Sequence, residues 1–241
     1  MVVGWLATAL AGDTQCEISS LRDVLAIPAP AVIVLGERHG TQPDLYRAAK
    51  VVHRLQADAH VTVALESVDG SKQTVLDDFA NQRVSWEELP TALDWENSWG
   101  FRWQPYAPLV TASVRGAKVV AAGLPLGAPP EDATITVPTG YFRVLESAMS
   151  GHPVPPASER DFVRSMAWRD QRIAEQALAG WDGEGFLVIV TGRSHVEGGK
   201  GVTWQIDRRT DAPVHGFALA WGGDPPCFQG DRVWRADPFF G

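Results

Sequence analysis

Ala31-Val32-Ile33-Val34-Leu35-Gly36-Glu37-Arg38-His39 decides the fold, and it has a distant counterpart in Phe186-Leu187-Val188-Ile189-Val190-Thr191-Gly192-Arg193-Ser194-His195. Each begins with a short apolar, largely β-branched run and ends in Gly-x-x-His. A run of that kind bounded by glycine reads as a strand buried on both faces, as in a parallel sheet. Glycine at the exit lets the backbone turn sharply, so that the histidine projects from the loop. Open α/β sheets bind ligands beyond the carboxyl ends of their strands. Two such exits, far apart in sequence, can therefore converge on one site, and a shared site is favoured over two unrelated loop histidines.

Working outward, Ser20 to Ile27 reads as a short helix stopped by Pro28 and Pro30. Pro43 suits the first turn of a helix running to Ala57, with Leu45, Ala48, Ala49, Val52 and Leu55 on one face. Val61 to Leu65 is a second buried strand, expected to lie parallel and next to the first with a right-handed crossover. Lys72 to Phe79 and Trp86 to Leu93 read as short helices of an insertion spanning 72–103. A helix from Tyr106 to Arg115 precedes a third strand, Lys118 to Ala122. Tyr141 to Met149 is helical, and Ser158 with Asp161 opens a long helix to Ala179. Val214 to Ala220 reads as a strand at the sheet's edge, with Pro213 leading in. The expected architecture is one α/β domain over 1–241, a mainly parallel sheet with helices on both faces and a Trp-rich helical insertion.

The 241 residues suffice for a sizeable core, and 45% apolar content with mixed charge indicates a globular chain. A net charge of −8 without a basic stripe argues against nucleic acid as a partner. Residues 1–12 are apolar but too few to span a bilayer, and they lack the basic start of a secretory signal. Localisation stays open, with cytoplasm favoured and export not excluded; the oligomeric state is open too. Cys16 and Cys227 either pair or remain free thiols, and neither has metal-ligand spacing. Of the ten tryptophans, Trp86, Trp95, Trp99 and Trp103 fall close together; they read as core packing first and as the wall of a pocket for a planar ligand second.

The strand exits carry Glu37 and His39, Glu66, Gly123-Leu124-Pro125, and His195. Two imidazoles with one or two carboxylates suffice to bind Zn²⁺, Mn²⁺ or Fe²⁺ with positions left for water. Such an ion would lower the pKa of its water and supply a nucleophile, and without metal the same groups could act as general acid and base. Expected roles are His39 and His195 as metal ligands, Glu66 as a metal ligand or a group that orients a histidine, and Glu37 as general base. His53, His60, His152 and His215 are weaker candidates.

Val34-Leu35-Gly36-Glu37-Arg38-His39, Ala64-Leu65-Glu66 and Gly192-Arg193-Ser194-His195 together resemble the ChaN-like haem-binding uptake proteins, of a superfamily with the Tiki/TraB proteases and the erythromycin esterases. The resemblance runs over 31–220 and includes Tyr106-Ala107-Pro108-Leu109 and Met166-Ala167-Trp168-Arg169-Asp170. The chain departs from it at Gly40, where Asp is common, and at Gly123, where Asn is. The resemblance implies an α/β sheet of this family's kind, with Arg169 and Asp170 at the site and Asp170 orienting a histidine. It also implies haem as an alternative cofactor, with a Tyr or His axial ligand; Tyr106 and Tyr141 are candidates, and Trp99 and Trp103 would border the ligand. The favoured function is a divalent-metal-dependent hydrolase of a small-molecule or peptide substrate. The alternatives are a haem- or iron-binding protein and a non-catalytic binding protein of the same fold.

Overall fold

The computed structural model describes residues 16–125, 127–148, 158–220, 228 and 231–235. In chain order the elements are β1 (Glu17–Ser19), α1 (Leu21–Leu25), β2 (Ala31–Glu37), α2 (Gln42–Leu55), β3 (Val61–Asp69), α3 (Gln73–Ala80), α4 (Leu89–Ala92), α5 (Trp95–Ser98), α6 (Ala107–Val110), β4 (Lys118–Gly123), α7 (Tyr141–Ala148), α8 (Glu159–Gly180), β5 (Phe186–Gly192), α9 (Val202–Asp207), β6 (Val214–Ala220) and β7 (Arg232–Arg235). Seven strands form one sheet in the order β1-β7-β6-β2-β5-β3-β4, and every pairing is parallel. Among the described residues, no helix is long and apolar enough to cross a membrane.

The central strands β2, β3 and β5 are buried almost throughout, as their unbroken apolar runs require. Alternate side chains divide between two cores. Ile33, Leu35, Val63, Leu65, Val188 and Val190 pack under α1, α2, α3 and the insertion. Val32, Val34, Ala64, Leu187 and Ile189 pack against Ile173, Ala174 and Ala177 of α8 and Val202 and Ile206 of α9.

Two topological expectations are corrected. β2 and β3 are parallel but not neighbours, because β5 inserts between them and hydrogen-bonds to both. β6 is not at the edge; it lies between β2 and β7, and β1 and β4 are the edges. The short strands Glu17–Ser19 and Arg232–Arg235 are what cover β6. The insertion is also less helical than expected, since Trp86 precedes the four-residue α4; beyond it, the helix expected from Tyr106 to Arg115 is the four-residue α6 continued by a 3₁₀ turn, Thr111–Arg115. Ser158 precedes α8 but makes no side-chain cap.

The glycines at the strand exits serve close approach rather than a turn. A Cβ on Gly36 would lie 2.9 Å from Val196 Cγ2 and 3.0 Å from Arg193 Cα. The strand runs on through Glu37, and the left-handed turn falls at Gly40, with φ +73°. A buried pair then ties this end of the sheet to α2. Asp44 accepts from the Arg38 backbone N–H at 3.1 Å and from Arg47 at 2.6 Å. Arg47 in turn donates to the carbonyls of Ala220 (3.0 Å) and Trp234 (2.5 Å), holding the ends of β6 and β7. Cys16 is disulfide-bonded, whereas Cys227, His152 and residues 1–12 lie outside the described residues.

Candidate functional site

β2 and β5 are adjacent, with Glu37 in register with Gly192, so both Gly-x-x-His exits open at the same end of the sheet. The two rings meet over Gly192. A Cβ there would lie 2.8 Å from His39 Cε1 and Nε2 and 3.3 Å from His195 Cδ2. Only a residue without a side chain leaves both imidazoles room.

Glu66 stands at the centre. The β3–β4 register shifts between Leu65 and Asp69, a local bulge of the kind that re-aims side chains. Glu66 Oε2 accepts from the Thr191 hydroxyl and the Gly192 N–H, both at 2.7 Å. Its Oε1 lies 3.3 Å from His195 Nε2 and 3.4 Å from the Arg169 guanidinium. Arg169 also donates to the carbonyls of Leu124 (3.2 Å) and Pro125 (3.3 Å), which fastens the exit of β4 to the site.

His195 is 3% exposed and engaged at both nitrogens. Its Nδ1 lies 2.6 Å from Asp170 Oδ1, and the Tyr141 hydroxyl donates to the other oxygen of Asp170. Burial alone would depress this imidazole, but the carboxylates of Glu66 and Asp170 outweigh it and push it up to about 10. The Glu66 carboxyl is correspondingly held well below its usual value, its burial outweighed by the charges of His195 and His39. Burial lifts the Asp170 carboxyl. His195 is therefore an imidazolium clamped between two carboxylates.

Burial lowers the His39 imidazole, but its hydrogen bond to Glu37 and the charge of Glu66 raise it above its ordinary value; it differs from His195 in its exposure. A third of its side chain (33%) reaches solvent. Its Nδ1 lies 2.7 Å from Glu37 Oε1, and Nε2 makes no hydrogen bond to any described residue. Trp99 meets the ring edge-on at 4.9 Å between centroids, and Phe101 lies at 5.5 Å. Glu37 is 2% exposed; Oε1 accepts from Tyr106 at 3.1 Å, while Oε2 has no hydrogen-bond partner. Burial lifts its carboxyl despite the His39 hydrogen bond. Tyr106 also accepts from the Gly40 N–H at 2.8 Å.

Of the residues singled out by sequence, Glu37, His39, Glu66, His195, Arg169, Asp170, Tyr106 and Tyr141 come together here, and Trp99 borders His39. Trp103 does not; its ring packs on Trp86 and Trp95. Tyr106 and Tyr141 are each 1% exposed with their hydroxyls on carboxylates. Of the weaker histidines, His53 and His215 face Arg115 and Arg232. Sequence reasoning missed Thr191, which follows the strand as an ordinary β-branched residue, and Phe101, which carried no motif. Among the described residues, no group of three or more His, Cys, Asp or Glu side chains is disposed to hold a metal ion. The reason for the expected set is visible in His195, which has no nitrogen to spare.

A family model described as haem-binding uptake, Tiki superfamily, ChaN, matches residues 25–128 and 126–206. The chain belongs to this family. Among solved structures, ChaN of Campylobacter jejuni, described for its cofacial haem binding, is 20% identical over 84% of this chain and 86% of that chain, with a TM-score of 0.66. RRSP, a MARTX toxin effector domain from Vibrio vulnificus, is 17% identical over 90% of this chain and 39% of that one, with a TM-score of 0.54. At these identities the likeness is one of fold. No curated protein matches the chain.

The charged pair makes stability depend on pH with a defined sign. His195 has its folded value, about 10, above its ordinary 6.5, so its contribution is complete below pH 6.5 and lost as pH rises toward 10. Glu66, held below 4.5, contributes above that pH and loses its contribution on acidification. Denaturant midpoints across a pH series should fall steadily above pH 6.5; a flat alkaline limb would reject a charged His195.

Proposed function

We propose that the chain binds haem at the strand-exit face, where His39 would hold the iron. The observation that carries this reading is the state of His39: Nδ1 anchored on Glu37, Nε2 unoccupied, and the ring at the surface beside Trp99 and Phe101. A carboxylate behind an imidazole fixes its tautomer and raises its basicity as an iron ligand. The other expected ligands fit less well. His195 is buried with both nitrogens engaged. Tyr106 and Tyr141 are buried phenols, and burial beside Glu37 and Asp170 respectively lifts both above their usual value, against the phenolate that iron requires. Trp99 and Phe101 would flank the macrocycle. Haem, when bound, supplies Lewis-acid and redox chemistry; the protein's part is to hold and orient it. Membership of a haem-binding uptake family supports the same ligand.

Titration with hemin should give a Soret band saturating at a fixed stoichiometry. His39→Ala should weaken binding about 10–100-fold and change the band, the scale of a lost ligand contact, whereas Tyr106→Phe should leave it in place. No Soret change in the wild type, or an unaltered spectrum in His39→Ala, overturns the proposal.

A second reading, hydrolysis of an amide or ester, rests on Glu37 Oε2, a buried acceptor without a partner on a carboxyl that burial makes more basic. Paired with His39 it could take a proton from an attacking water without a divalent ion. If activated-ester turnover is detected, Glu37→Gln should lower it roughly 10²–10⁴-fold. Absence of turnover, or turnover indifferent to this change, rejects hydrolysis at Glu37 and leaves the haem proposal standing.

A further inference from the structure

Beyond the strand-exit face, the insertion encloses a groove of about 530 Å³ between α4, α5 and the turn after Gly100. That volume is within the range of small-molecule sites. Its walls include Trp95, Phe101 and Trp103, and its polar lining includes Asp94, Glu96 and Arg102. The turn is fixed on α5 by Trp95, whose indole N–H donates to the Phe101 carbonyl at 2.7 Å.

Two features are not required by folding. Phe101 and Trp86 are 40% and 44% exposed, although the core of the insertion is already filled by Trp95; Trp86 extends the aromatic surface from Trp103 at 5.8 Å between centroids. Glu96 and Arg102 are exposed, and neither has a hydrogen-bond or ion-pair partner among the described residues.

The lining selects the chemistry of an occupant. Asp94 and Glu96 disfavour an anion, and Arg102 offsets part of their pull on a cation. The Glu96 carboxylate can accept from hydroxyls and the Arg102 guanidinium can donate to them, while the Asn97 amide already donates to Asp94 at 2.7 Å. The exposed aromatic faces call for an apolar face on the same molecule. A neutral ring with a hydroxylated rim and an apolar C–H face meets all these conditions. We propose that this groove is a carbohydrate-binding site, distinct from the His39 face but backed onto it by Phe101, whose Cδ1 would lie 2.7 Å from a Cβ on Gly40. The inference does not depend on the haem reading.

Calorimetry on the full chain with maltotetraose and cellotetraose, the α- and β-linked glucose tetramers, tests it. At least one should bind saturably at one site per chain, with affinity unchanged by salt up to about 0.5 M, because a neutral ligand has no charge to screen. Glu96→Gln and Arg102→Gln alter exposed side chains, so thermal midpoints should hold while affinity falls about tenfold in each, the scale of a hydrogen bond to a charged group. Binding of neither sugar overturns the proposal, as does binding that survives both substitutions unchanged. Displacement of the sugar by tetramethylammonium or inorganic phosphate would also overturn it, by making the site one for a charged ligand. Hemin spectra of the two variants should match the wild type.

Discussion

The buried carboxylate of Glu66 is the constraint on which the site depends. Its oxygens gather the Thr191 hydroxyl, the Gly192 N–H, the His195 ring and the Arg169 guanidinium. It thereby joins β3, β5 and α8 at the one point where the two Gly-x-x-His exits meet. Removing a carboxylate from water in this way costs several kcal/mol, which hydrogen bonds and opposite charge must offset. The cationic His195 and two strong donors meet that requirement. Deleting one member would leave its partner charged and buried, at a cost of about 3–5 kcal/mol.

Two loops of like sequence thus end in different surroundings. His195 lies between Glu66 and Asp170, with Tyr141 behind, and is a structural cation. His39 leans on a single carboxylate whose second oxygen is unpaired, and its Nε2 makes no hydrogen bond to any described residue. The difference lies in what surrounds each loop rather than in the motif. α8 brings Asp170 and Arg169 against the second exit, whereas the insertion brings Trp99 and Phe101, and the start of α6 brings Tyr106, against the first. One exit is closed by charge, and the other is bordered by aromatic rings.

Contiguous apolar runs made the central strands legible, and their exits then placed His39, Glu66 and His195 at one end of the sheet. Strand order was not legible, because β5 reaches its place between β2 and β3 through pairings remote in sequence. Glu17–Ser19 and Arg232–Arg235 are too short and too charged to read as strands before the sheet aligns them. Asp44 and Arg47 carry the signature of a solvated helix face yet are buried, since their partners come from β6, β7 and the loop after β2. Glu37 and His39 were expected to divide the roles of base and metal ligand. They hydrogen-bond to each other instead, which a two-residue separation permits but does not announce.

The most direct test is the proton inventory of the two imidazoles, read by ¹⁵N NMR of the histidine rings at pH 8. The account predicts His195 protonated at both nitrogens, consistent with a value of about 10. It predicts His39 with its proton on Nδ1 toward Glu37 and a bare Nε2. A neutral His195, or a His39 carrying its proton on Nε2, would contradict it.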